Sequence, residues 1–163
     1  MTFHHVDSHR HTHLFAPVFE LVQEAARASG VPRIRIPLVR GRVPGAWSPK
    51  QRAFQALARR AATRLTPPAV PVAEAYAELR LLMAPDALER FLVTVGAMGA
   101  QHVEIGCHPG YTDQTLQGVE SQIHDRDMER RVLTDPALRQ RLRQCGWEVE
   151  GAIEQRKEVV VCG

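Results

Sequence analysis

Stretches with strand character alternate with stretches of helical periodicity along most of the 163 residues, separated by short breaks rich in proline and glycine. Phe3 to Ser8 reads as a short strand, with Phe3 and Val6 as its apolar members. Pro17 to Ser29 reads as a helix: proline suits the first turn, Val18, Leu21, Val22, Ala25 and Ala26 share one face, and Gly30 can take the left-handed conformation that closes a helix. Arg33 to Ile36 is a second strand stopped by Pro37, and residues 37–50 read as loop. Ser48-Pro49 caps a helix running to about Leu65, and Thr66 to Val72 is a proline-rich break. Helices are expected over Ala73 to Met83 and Pro85 to Met98, the latter closed by Gly99. His102 to Cys107 alternates as a strand that leaves through His108-Pro109-Gly110 into a loop of about fifteen residues. Helices over Asp127 to Leu133 and from the Thr134-Asp135-Pro136 cap to Cys145 follow, then Gly146 and a last strand, Trp147 to Glu150. Strand, helix, strand, helix with short connections implies an α/β layer or barrel with mostly parallel strands. Function in such folds collects at the carboxyl ends of the strands.

Two histidine groups fall at such ends. The first is Asp7-Ser8-His9-Arg10-His11-Thr12-His13, where three of the eight histidines lie within five residues. An extended chain has period two, so Asp7, His9 and His11 are expected to point to one side. Imidazole nitrogen and carboxylate oxygen together suit a divalent metal, which can lower the pKa of a bound water to about 7. The bland alternative is a solvated, metal-scavenging tract. His13 lies near the helix start and fits a structural role as well as a functional one. His4 and His5 read as ordinary strand or surface residues, and His124 as a surface residue.

The second group centres on His108, held at a strand end before Pro-Gly with a ring that can give or take a proton near neutral pH. Glu104, inside the same strand, either faces solvent or sits inside paired with an arginine or a metal, since burying it alone is costly. Asp113 reads as a polar loop residue. Arg35 can orient a carboxylate or a sugar oxygen, or form a plain surface ion pair.

The bulk numbers exclude some classes. The length suits a single domain over residues 1–163. No apolar run reaches the roughly 18–20 residues of a membrane span. No secretory h-region is visible, and three widely spaced cysteines suggest reduced thiols, so a cytoplasmic location is expected. The net charge of +3 comes from dispersed residues, nearly all arginine, with 6% aromatics, which argues against nucleic acid as a partner.

Four segments together, HHVDSHRHTHLFAPVF, RIRIP, HVEIGCHPGYTD and ERRVLTDPALRQRLRQCGW, resemble the C-terminal part of the YdjC-like carbohydrate deacetylases, the group that includes chitooligosaccharide deacetylase. The resemblance covers about residues 2–150, and the stretch 38–84 carries little of it. It implies a deformed (β/α) barrel and a hydrolase that removes N-acetyl groups from amino sugars with a divalent metal, Mg²⁺ first and Zn²⁺ second. It further implies that His9 is a metal ligand, that His108 lies in the site as general acid for the leaving amine, that Asp7 supports the ligand shell and that His11 lines the pocket, with Arg35 and Glu104 nearby. Family members begin with a strand bearing an Asp-Asp-Phe-Gly-like motif, which supplies a metal-binding and a basic aspartate, and bring a second histidine ligand before the DSHxHxH segment. Neither is found here. The expectation is therefore a partial barrel, N-terminally truncated: a fragment, a mis-assigned start, or a chain completed by another polypeptide. Its open sheet edges invite pairing, for example as a homodimer.

Two other readings fit the residues. An amidohydrolase-like or phosphoesterase-like metal hydrolase would use His9 and His11 as a true ligand pair. A non-catalytic remnant that self-associates would need no metal.

Overall fold

The computed structural model describes residues 5–40, 48–67, 69–112, 123–149 and 158–162. The expected positions Phe3, His4 and Asp113, most of the loop after His108, and Glu150 lie outside the described residues. The chain forms two compact units, and the division falls between Tyr76 and Ala77.

The first unit opens with Val6, which bridges Ile34 in parallel fashion: Val6 N–H donates to Arg33 O (2.9 Å) and Arg35 N–H to Val6 O (3.0 Å). The expected strand over residues 3–8 is thus reduced, among the described residues, to one bridge. A 3-10 helix, η1 (His9–Leu14), follows and leads directly into α1 (Ala16–Ala28). Strand β1 (Arg33–Ile34) pairs in parallel with β2 (Val70–Pro71), and α2 (Pro49–Arg64) lies between them in sequence. The cap read from Ser48-Pro49 is present as a reciprocal box: Ser48 Oγ accepts from Gln51 N–H (3.2 Å) and Gln51 Oε1 accepts from Ser48 N–H (2.7 Å). The core of this unit is Leu14, Phe19, Ala26, Val31, Ile34, Ile36, Ala58 and Ala61, so η1, α1, β1 and α2 all contribute.

The helix expected over Ala73 to Met83 is not formed. Strand β3 (Ala75–Glu78) and a 3-10 turn, η2 (Leu79–Leu82), stand there instead. Ala75, Tyr76 and Ala77 are buried in succession, as in a strand covered on both faces, which shows no alternation to read.

The second unit continues with α3 (Ala87–Ala97), β4 (His102–Gly106), α4 (Ile123–Leu133), α5 (Leu138–Gln144), β5 (Glu148–Val149) and β6 (Glu158–Cys162). The sheet runs in the order β3-β4-β6-β5, with β4 and β5 both parallel to β6. β6 is an element the sequence reading did not anticipate. Trp147 is buried, donates Nε1–H to Leu92 O (3.2 Å), and lies where a Cβ on Gly96 would come within 3.3 Å of its ring. A small residue is therefore required at position 96 of α3. Gly30, Gly99 and Gly146 all take positive φ at helix ends, as read from the sequence. The fold is mixed α/β with short parallel strands. Among the described residues no helix is long and apolar enough to cross a membrane.

Candidate metal centre

The chain does not run extended through the histidine tract. Arg10 (φ 52°, ψ 27°) and His11 (φ 54°, ψ 35°) are both left-handed, a conformation uncommon for residues other than glycine. Ser8 holds this turn: its carbonyl accepts from His11 N–H (2.9 Å), and its Oγ accepts from His13 N–H (2.9 Å) and lies 3.1 Å from Thr12 Oγ1. The expected alignment of Asp7, His9 and His11 on one side is thereby corrected. The turn brings Asp7, His11 and His13 together, with one ligand-type atom from each within 4.8 Å of the others. His9 is exposed at the start of η1.

Asp7 Oδ1 lies 3.3 Å from His11 Nδ1 and 3.6 Å from His13 Nδ1, while Oδ2 accepts a charged hydrogen bond from Arg35 Nη1. Burial pushes the Asp7 carboxyl up, but the hydrogen bond from His11 and the Arg35 charge outweigh it, so its pKa is held well below the usual carboxylate range. The side chain is an anion throughout the neutral range. Arg35 thus orients a carboxylate, as one of its sequence readings had it, in a partly buried pair.

His13 is 1% exposed. Its Nε2 lies 2.6 Å from Arg35 O, which can only accept, so Nε2 carries the proton. Nδ1, 2.8 Å from Ser8 Oγ, is then the bare nitrogen. Burial lowers the proton affinity of the ring, partly offset by the Arg35 carbonyl and the Asp7 charge, which keeps that lone pair available. A ring N–H fixed by a backbone carbonyl, with the other nitrogen free to donate a lone pair, is the usual arrangement around a metal-binding histidine. His11 packs its ring against Phe54 (centroids 5.7 Å apart) and edge-on to Tyr76 (5.9 Å).

These residues fit a divalent ion. Metal–donor bonds of about 2.0–2.2 Å at tetrahedral or octahedral angles put donor atoms about 3.0–3.5 Å apart. The separations of 3.3 and 3.6 Å from Asp7 Oδ1 are close to that spacing. His13 is the member that sequence reasoning did not commit to. The signal that could have found it is the apolar Leu14-Phe15-Ala16-Pro17 run beside it, which draws position 13 inward.

The second unit presents His108 just past β4, with an exposed ring and a fixed backbone. Its N–H donates to Oε2 of Glu129, a 2%-exposed carboxylate on α4, and Gly110 N–H donates to Arg126 O (3.2 Å). Arg130 lies over the Tyr111 ring at 4.6 Å. Glu104 is buried in β4, which removes its solvent-facing reading. The side chain of His124 lies outside the described residues.

Relatives carry the same segments. The chain is 32% identical over 138 residues to a chitooligosaccharide deacetylase of Klebsiella pneumoniae (strain 342), an overlap that covers 83% of this chain and 46% of that protein. It is 27% identical over 144 residues to a chitooligosaccharide deacetylase of Serratia marcescens, covering 88% and 49%. The chain therefore spans about half the length of these curated relatives. In three dimensions it resembles the crystal structure of a candidate cellobiose-phosphate cleavage protein from Enterococcus faecalis V583, with a TM-score of 0.52 and 17% identity over 90% of this chain and 50% of that one. The family model described as YdjC-like protein matches residues 1–144, both histidine groups included. The resemblance carried by the four sequence segments holds, and the chain belongs to the YdjC-like family.

Proposed function

We propose that this chain is part of a metal-dependent carbohydrate deacetylase acting on an acetylated amino sugar. The observation that carries this reading is the Asp7, His11 and His13 donor cluster, which lies within the segment that matches the family. The names of the curated relatives support the substrate class. A divalent ion bound there would supply an electrophile for the amide oxygen and a more acidic water. Asp7 Oδ1 and one ring nitrogen each of His11 and His13 would hold it. Arg35 keeps Asp7 anionic and oriented. His108 is proposed as the proton donor to the leaving amine, with its backbone fixed by Glu129. His9, the ligand that the family motif implies, remains the competitor to His13 for the histidine role. The residues completing the catalytic set, the base among them, are proposed to belong to the part of the relatives' length that this chain does not span, and the strands described here to one part of the barrel.

The test is acetate release from N,N′-diacetylchitobiose by the purified chain, with and without a divalent ion. Release that requires the ion and is lost in His13→Ala and in His108→Ala is the expected result. Loss in His9→Ala with His13→Ala unaffected would transfer the ligand role to His9. No release with any ion would sink the hydrolase reading for this chain.

A further inference from the structure

The cluster also carries a statement about which ion it takes, and Arg35 is the residue that decides it. This inference rests on the metal-binding reading above. Among the described residues the cluster offers two imidazole nitrogens and a single carboxylate. Nitrogen donors suit ions of the Zn²⁺, Co²⁺ and Ni²⁺ kind. Mg²⁺ depends on anionic oxygens and sheds water reluctantly, so it gains little from imidazole. The one carboxylate is already half engaged, because Arg35 donates to Asp7 Oδ2 and leaves Oδ1 facing the histidines. A guanidinium in contact with the carboxylate withdraws the charge that a hard ion needs most.

Arg35 acts on the histidine side as well. Its carbonyl receives the His13 Nε2 proton, which fixes Nδ1 as the bare nitrogen turned toward Asp7. Its own position is set by the bridge between Val6 and β1, where Arg35 N–H donates to Val6 O (3.0 Å). One residue therefore weakens the oxygen donor through its side chain and prepares the nitrogen donor through its backbone. We propose that the Asp7–His11–His13 site selects a nitrogen-preferring divalent ion over Mg²⁺, and that Arg35 is the positioning residue that sets this selectivity.

The test is direct binding, independent of turnover. The purified chain is titrated calorimetrically with Zn²⁺, Co²⁺ and Mg²⁺, and the Co²⁺ complex is followed by its visible absorption. One Co²⁺ or Zn²⁺ per chain is expected, bound at least about a hundred-fold more tightly than Mg²⁺. The Co²⁺ bands should persist in excess Mg²⁺. Asp7→Asn and His13→Asn should each weaken Zn²⁺ binding at least about ten-fold, a sensitivity to Asp7 that a loose histidine tract would not show. Arg35→Gln keeps the backbone carbonyl and removes the charge, so the preference for Zn²⁺ over Mg²⁺ should narrow about ten-fold. Thermal melts identify any variant that fails to fold, and the wild-type ion ranking decides the matter without the variants. Mg²⁺ binding as tightly as Zn²⁺ would overturn the selectivity and leave the metal-dependent reading standing. Zn²⁺ binding indifferent to both Asp7→Asn and His13→Asn would overturn the site itself. Selective binding without acetate release would uphold the inference while the deacetylase reading fails.

Discussion

The two histidine groups are held in opposite ways. In the first unit, His13 is buried and fixed through its ring: both nitrogens lie against fixed partners, Ser8 and the Arg35 carbonyl, and a neighbouring anion is itself fixed by Arg35. In the second unit, His108 is fixed through its backbone, by the buried Glu129, and its ring is exposed. A ring fixed at both nitrogens suits a ligand, whose lone pair must point at one place. A ring on a fixed backbone suits a proton carrier, which must exchange with water or substrate. The same side chain is prepared for two kinds of chemistry by where its hydrogen bonds attach.

The largest effect that would break this contrast is at Asp7. Asp7→Ala leaves the partly buried Arg35 guanidinium and two imidazoles without their anion, and should cost about 2–4 kcal/mol in urea unfolding at pH 7.5. A loss below about 0.5 kcal/mol would mean that the cluster is a surface arrangement. Next comes the anchor of the other group. Glu129→Ala removes the acceptor for His108 N–H and should cost about 1–3 kcal/mol, while Glu129→Gln keeps an acceptor oxygen and should recover most of it. Equal losses in the two variants would show that the carboxylate serves something other than the His108 backbone.

How much of this was legible in the sequence follows from the range of the forces involved. Helix ends were readable because their causes are local: Gly30, Gly99 and Gly146 at positive φ, and the Ser48–Gln51 box four residues long. The segment 75–78 was misread because Ala75 and Ala77 favour helix intrinsically, and only burial on both faces makes them strand. The tract at Asp7 was right in its members Asp7, His11 and Arg35 and wrong in its geometry. Period-two reasoning assumed an extended backbone, whereas Arg10 and His11 turn left-handed under the hold of Ser8. His13 was undervalued because its decisive partner, the Arg35 carbonyl, is 22 residues away and reached through tertiary folding.

Acid titration sharpens the comparison further, because the groups with shifted pKa values in the cluster all act in one direction. The folded-state pKa of His13 is lowered by burial, so below about pH 6.5 the unfolded chain takes up a proton that the folded chain refuses, and stability falls. The Asp7 pKa is also lowered when folded, so its contribution is complete above about pH 4 and is lost as the pH drops further. Urea midpoints should therefore decline in two stages on acidification, with a slope of at most about 1.4 kcal/mol per pH unit for each group. His13→Asn should remove the upper stage alone. A midpoint that rises between pH 7 and pH 5 would contradict the assignment of a neutral, buried His13.

The smallest effect is the most discriminating. His108→Gln should change stability by no more than about 0.5 kcal/mol, because the ring is exposed and glutamine keeps the N–H that Glu129 accepts. The same exchange at His13 should cost about 1–3 kcal/mol, because a flexible amide cannot meet Ser8 Oγ and the Arg35 carbonyl at 2.8 and 2.6 Å together without strain or an unsatisfied buried group. Both variants are compared by urea unfolding at pH 7.5, where neither ring is expected to carry a full charge. If His108→Gln proves as costly as His13→Gln, its ring is part of a packed network, and the free proton carrier inferred from its exposure is the wrong description. If both are silent, the ring of His13 is held only loosely by its two short contacts, and the distinction between ring-fixed and backbone-fixed histidines falls with it.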